Sequence, residues 1–247
     1  MESLLDPQAA EALLHLKRQV GEAVSTFDLD TAENLAAWQH VLDAKLLPRL
    51  SPDFPVTAAI CGGGSSGKST LFNSLSGYPF SPTGGRAGLN RRVLVGIHPS
   101  RARQPGFLEA LFEPFGSPPQ ALPEADSEVL TRSGSPLYAL SENLPAHMAL
   151  LDTPDFDTGA KGEYTNRALA QQSLEAADVL VYVFTNANYN NRDNTDFLAR
   201  MLTQVGVRPA ILVYRVYPSF SDAEVAEHAA TVGANLYGAD ADQHLLG

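Results

Sequence analysis

Apolar residues recur along the first fifty positions at helical intervals. Leu13, Leu16, Val20, Val24 and Phe27 fall on one helical face, and Asp6-Pro7 offers a cap residue with proline at the first helical position. Asp30 followed by Glu33 has the form of a second capping arrangement, after which Leu35, Trp38, Leu42 and Leu46 continue a further helix as far as Pro48. The stretch SPDFP at 51–55 links this helical pair to a chain of different rhythm. Val56–Cys61 is an apolar run of strand length, and Leu71, Phe72 and Leu75 return to helical spacing. Arg91 and Arg92 open onto VLVGIH, a second strand. Residues 99–145 are rich in proline, with short helical suggestions at 107–112 and 124–130, and read as an ordered insertion between two sheet strands. Strands are then expected at 148–151, 179–186 and 210–213, the last extending toward Val216, with helices at 165–177 and 195–202. Ser221 and Glu224 mark a final helix that ends near Gly233. Strands alternating with helices specify a three-layer α/β domain with a mostly parallel sheet, over residues 51–247, preceded by a two-helix segment at 1–50.

Composition narrows the class. With 247 residues and 44% hydrophobic content the chain can bury a sizeable core without a disulfide or metal staple. Its one cysteine, Cys61, excludes a disulfide scaffold, fits a reducing cytoplasmic compartment, and reads as a small buried residue rather than a nucleophile. A net charge of -11 argues against a broad nucleic-acid surface or a general attraction to anionic lipid. The most apolar stretch, 179–184, is strand-sized, and the N-terminus lacks a basic region followed by an apolar one.

The chemistry concentrates in GGGSSGKST. Gly62, Gly67, Lys68 and Ser69 satisfy the phosphate-loop pattern, G-x-x-x-x-G-K-[ST], between a strand and a helix. Gly62, Gly63, Gly64 and Gly67 allow a sharp backbone path whose N–H groups, with those of Ser65, Ser66 and Thr70 at the new helix, can cradle phosphate. Lys68 would reach the β and γ phosphates and the Ser69 hydroxyl would help hold Mg²⁺. Asp152 ends an apolar strand, the place from which a carboxylate can hold a Mg²⁺-bound water opposite Ser69. In the polar segment 78–92, Thr83 could supply oxygen to Mg²⁺, and Arg86, Arg91 and Arg92 could supply positive charge. Asp155 and Asp157 follow on the next loop, where either carboxylate could position water.

Over residues 57–233 these motifs resemble the GTPase domain of the translation-factor class of P-loop proteins, most of all dynamin-related and bacterial dynamin-like GTPases. The resemblance rests on GGGSSGKSTLFNSLSG, on SPTGGRAGLNRR as a switch segment, and on Asp152-Thr153-Pro154-Asp155 as a form of D-x-P-G. It implies GTP and GDP as ligands, Mg²⁺ as cofactor, and water attack on the γ phosphate, with Lys68, Ser66 and Thr83 as catalytic candidates. Three departures stand out. Leu89-Asn90 occupies the place of the Mg²⁺-sensing threonine, and Asp155 replaces the glycine whose N–H senses the γ phosphate. The base-reading [NT]-K-x-D is Tyr214-Arg215-Val216-Tyr217, where Arg215 could stack on a base but no carboxylate stands at the matching position. The last strand and base loop are expected beyond QHLLG, in a longer parent chain.

The leading reading is a Mg²⁺-dependent GTP-hydrolysing switch. A scaffold that keeps nucleotide but hydrolyses it negligibly, and a P-loop kinase whose acceptor pocket lies in 99–145 or the asparagine-rich turn after 186, are the alternatives. The resemblance also implies a nucleotide-dependent homodimer, a C-terminal helical region of the parent docking on the N-terminal helices, and membrane contact only through that parent. No nucleic-acid partner is expected.

Overall fold

The computed structural model describes residues 7–27, 32–51, 53–83, 90–123, 127–155, 164–203 and 208–246. Asp6, Asp30, Arg86, Leu89 and Asp157, named above, lie outside them. The N-terminal stripe forms α1 (Pro7–Thr26), and α2 (Ala32–Val41) runs on through one π turn (Leu42–Leu46) into α3 (Leu47–Arg49). The helical path therefore continues past Pro48, where the sequence predicts a stop. A proline lacks its N–H and crowds the carbonyl of the preceding turn. Here the wider turn precedes it and Pro48 takes an early position of the new one, where its missing donor is not needed. Lys17 Nζ meets Asp43 Oδ2 at 2.6 Å and ties α1 to that turn. Leu42 is buried, while Leu14, Leu16, Phe27 and Leu46 are exposed, so the helical pair keeps an apolar face open.

The strands are β1 (Val56–Cys61), β2 (Leu94–Ile97), β3 (Gln120–Ala121), β4 (Leu137–Leu140), β5 (Met148–Asp152), β6 (Val179–Thr185), β7 (Ala210–Arg215) and β8 (Leu245–Leu246). They form one sheet in the order β3-β4-β2-β5-β1-β6-β7-β8. Every pairing is parallel except β2 with β5. The helices are α4 (Lys68–Ser76), α5 (Pro99–Ala102), α6 (Phe107–Phe112), α7 (Tyr164–Ala176), α8 (Arg192–Thr203), α9 (Asp222–Tyr237) and α10 (Ala241–His244). This is the three-layer P-loop architecture. Its central strand shows why: Ala59 and Cys61 point into a core shared with Leu174 and Phe197, Ala58 and Ile60 into another shared with Phe72 and Leu130. Burial on both faces requires an apolar run rather than an alternating one.

The insertion departs most from expectation. Residues 127–131 form a 3-10 turn, and β3 and β4 extend the sheet by two strands beyond those predicted. Helix α9 has the reciprocal Ser221–Glu224 capping box and carries on through a buried Gly233 to Tyr237. A short strand pairs with β7 at Leu245–Leu246, inside QHLLG, whereas the sequence reading places the last strand beyond it. Below the sheet, Arg49 joins the N-terminal helices to the domain. It pairs with Asp178, donates to Ala176 O at 2.5 Å and Lys45 O at 2.7 Å, while Asp178 Oδ2 accepts from Thr57 N at 2.8 Å.

Candidate nucleotide site

Parallel register aligns the ends of β1 and β5, with Ile60 opposite Asp152. The loop after β1 and the carboxylate at the end of β5 therefore emerge on the same edge of the sheet, the edge where open α/β sheets bind ligands. Thr153 holds that alignment beyond the strands, its Oγ1 donating to Ile60 O at 2.9 Å.

The loop backbone explains its glycines. Gly62 has φ +151°, and a Cβ there would lie 2.2 Å from the carbonyl oxygen of Val183. Gly67, at φ +110°, is the cap residue of α4, whose first turn starts with Leu71 N donating to Gly67 O at 2.9 Å. Ser65 adopts φ 59° without being glycine. Such a backbone turns its amides inward and leaves the helix N-terminus open to an anion. The Ser66 hydroxyl is buried there without a hydrogen-bond partner. On α4, Phe72 is fully buried and Leu75 is half exposed, so the apolar stripe read from Leu71, Phe72 and Leu75 seats chiefly through the phenylalanine.

A cavity of about 100 Å³ opens over this loop, lined by Ser65, Lys68, Ser69, Thr83, Asp155 and Arg215 among others. Arg215, at the end of β7, reaches across so that Nη1 stands 3.5 Å from Ser65 O. Tyr214, next to it, faces the other way: its ring stacks on Phe184 at 4.7 Å and its hydroxyl meets His228 Nδ1 at 2.5 Å. Of the four residues in the diverged base-reading segment, Arg215 is thus the one that lines the cavity.

Behind Ser69 lies a buried polar knot that sequence reasoning did not assemble. Asp152 Oδ2 accepts from Ser69 Oγ at 2.9 Å, from Ser81 Oγ at 2.6 Å and from Asn90 Nδ2 at 2.8 Å. Asn90 Nδ2 is also 3.0 Å from Ser69 Oγ and 2.6 Å from Ser81 Oγ. Burial pushes the Asp152 carboxyl above the ordinary carboxylate range, against the pull of the Ser81 hydrogen bond and the Lys68 charge. Its second oxygen, Oδ1, is buried without a hydrogen-bond partner. These are hard oxygen donors with one lone-pair set unused, which fits a small hard cation such as Mg²⁺ that keeps several of its waters. Ser69 and Asp152 are thus in direct contact. Thr83 stays exposed on the cavity rim, and among the described residues of the segment Ser81 and Asn90 contact Asp152. Ser81 is held by Asn73 of α4, which bonds both its N–H and its carbonyl, at 2.9 and 2.7 Å.

Lys68 is engaged. Its ammonium donates to Gly63 O at 2.9 Å and pairs with Asp155, both side chains being largely buried. Asp155, one of the two loop carboxylates that could position water, is paired with the phosphate-loop lysine. The asparagine-rich turn is occupied with its own backbone: Asn188 Oδ1 accepts from Thr185 N at 2.7 Å and Asn191 Oδ1 from Asn194 N at 3.2 Å.

A search of curated proteins returns no match. Among solved structures, one from an oligomerised bacterial dynamin pair aligns over 98% of this chain and 46% of its own, with a TM-score of 0.53 and 13% identity. A second from such a pair aligns over 95% and 36%, with a TM-score of 0.48 and 13% identity. A point variant of Era from Aquifex aeolicus, bound to GDP and AlF4⁻, aligns over 76% and 53%, with a TM-score of 0.46 and 19% identity. The chain thus spans about half or less of the length of these structures. The family model of the dynamin family matches residues 58–216, more than half of the sequence and all of the site just described. The chain belongs to the dynamin family of P-loop GTPases.

Proposed function

We propose that this chain binds GTP and GDP with Mg²⁺ and hydrolyses GTP as a dynamin-like switch. The observation that carries the reading is that Lys68 and Ser69 line one cavity at the ends of β1 and β5, with Asp152 bonded directly behind Ser69. In this reading the amides from Gly62 to Thr70 cradle the α and β phosphates, and Lys68 neutralises charge at the β–γ bridge. Ser69 and Asp152 would hold Mg²⁺, with Asn90 swinging aside from the oxygens it now bridges. When bound, the ion supplies charge compensation to the phosphates. Ser66 offers its unused hydroxyl to the same phosphates, Thr83 closes from the rim with its hydroxyl and carbonyl, and Arg215 stacks over the base. Base reading by an arginine alone gives only a modest preference for GTP over ATP.

A nucleotide-bound scaffold with negligible hydrolysis is the second reading, favoured by the Asp155 carboxylate on Lys68. Isothermal titration with GTP, GDP and ATP in Mg²⁺, followed by single-turnover phosphate release, decides between them. Binding plus release that Lys68→Ala abolishes supports the switch; binding without release supports the scaffold; binding of no nucleotide rejects both. For partners, we infer a homodimer formed across the nucleotide face, and docking of a helical region of the parent chain on the open apolar face of α1. Sedimentation with and without GTP and a transition-state mimic tests the first. An unchanged monomer at full nucleotide occupancy would reject it.

A further inference from the structure

We propose that the Asp155 carboxylate stands in for the terminal phosphate and makes this site select nucleoside diphosphate over nucleoside triphosphate. The proposal rests on the guanine-nucleotide reading above and names the residue that sets which phosphate state binds. A lysine ammonium has three donors. In this site Gly63 O takes one at 2.9 Å and the Asp155 carboxylate takes another, so one is left for a ligand. The backbone cradle from Gly62 to Thr70 suits the inner phosphates, and the lysine is the group that spans inner and terminal ones. A diphosphate can therefore settle on the amides and the remaining donor with the Lys68–Asp155 pair intact. A triphosphate brings a further anionic group to the place where a buried carboxylate already neutralises the same ammonium. It enters only by expelling Asp155, whose side chain then loses its cation close to the like charge of Asp152.

The chain position is consistent with this role. Asp155 follows Asp152 by three residues, with Thr153 bonded to the end of β1 between them. The carboxylate is therefore carried by a segment anchored to the sheet, and it is delivered to the lysine of a helix 87 residues away in sequence. An uncharged residue at this position would leave Lys68 with its donors free for a terminal phosphate.

The test compares GDP with a non-hydrolysable imido analogue of GTP, by isothermal titration in Mg²⁺, on wild type, Asp155→Asn and Asp155→Gly. Circular dichroism melts verify that each variant is folded; the asparagine keeps the shape should the glycine variant fail to fold. Wild type is expected to bind GDP about tenfold or more tighter than the triphosphate analogue. Each substitution should raise affinity for the analogue by about tenfold or more and move GDP by less than about threefold, as removal of one like charge from a buried site predicts. An unchanged preference in both variants, or equal tightening of both ligands, overturns the proposal. Inorganic pyrophosphate and tripolyphosphate serve as base-free probes in the same titrations. If they reproduce the shift while neither guanine ligand binds, the base reading fails and the role of Asp155 stands; if they bind with no shift, the role of Asp155 fails.

Discussion

Replacing Lys68 by methionine should do more than remove nucleotide binding: it should destabilise the nucleotide-free protein. The Lys68 side chain is 5% exposed and that of Asp155 11%, so the pair is screened little by solvent. Removing one member of such a pair leaves its partner as an uncompensated buried charge, which costs about 3–5 kcal/mol. The lower half of that range is expected, because a carboxylate with some exposure can recover part of its hydration. For a chain of this length each kcal/mol lowers the melting midpoint by about 2–4 °C, so a fall of roughly 6–15 °C follows. Urea unfolding of the nucleotide-free protein at pH 8, followed by tryptophan emission and circular dichroism, measures it. The double variant Lys68→Met, Asp155→Leu should recover most of the loss, because replacing both charges with apolar groups of similar size is close to neutral. The resulting cycle should return a coupling energy above about 1 kcal/mol. If Lys68→Met lies within about 0.5 kcal/mol of wild type, or the double variant recovers nothing, the pair does not hold in solution and the reasoning built on it is wrong.

Asp152→Asn tests the buried knot through pH. The folded carboxyl titrates above its unfolded value, so the folded state binds the proton more readily and stability falls as pH rises from the ordinary carboxylate range through the folded value. Asparagine carries no such penalty; its advantage in urea midpoint over wild type should be present at pH 8, shrink as pH falls and vanish near pH 4, and a difference independent of pH would contradict this. Gly62→Ala should destabilise by about 2–4 kcal/mol, since its Cβ meets a backbone carbonyl, whereas Gly67→Ala, with its nearest neighbour at 3.9 Å, should cost about 1–2 kcal/mol from its positive φ alone. Thermal melts of the two rank them, and a reversed order would show that the loop relaxes differently. Arg215→Ala should weaken GTP and ATP alike, by about three- to tenfold if stacking is its role. A loss confined to GTP in competition titrations would assign it to base reading instead.

Much of the fold is written in local pattern, and the parts that are not share a cause. β1 and β6 are buried on both faces, so their runs of apolar residues stand out from any neighbour. The phosphate loop is legible because its glycines answer to backbone angles that a single sequence reveals. β4 is four residues long with an intermediate position inside it, set among prolines, and it is a strand because β2 offers a free parallel edge, not because of any period of its own. Pro48 misleads for a similar reason: the π turn ahead of it is a tertiary accommodation, made where Arg49 must reach Asp178. Ser69 and Asp152 could be paired from sequence, since both sit at ends of predictable strands or helices. Ser81 and Asn90 could not, because isolated polar residues in a loop carry no periodicity, and only the packing of that loop against α4 brings them to Asp152. Asp155 was visible as a departure from the glycine of D-x-P-G. Its partner was not, because the sequence alone does not say how far a carboxylate can reach.

The lone cysteine gives the molecule a built-in gauge. Cys61 is 0% exposed at the end of the central strand, directly before the phosphate loop, and burial pushes its thiol up to about 12. A thiol reagent can capture it only when the middle of the sheet opens, so the labelling rate of the unaltered protein records the population of that opened form. A ligand held by the loop suppresses the opening by mass action: at about a hundred times its dissociation constant it stabilises the closed state by ~2.7 kcal/mol, slowing capture roughly a hundredfold. Ranking GDP, GTP, ATP and the polyphosphates then needs neither a fluorescent analogue nor an engineered residue, only a clock and a single sulfur atom.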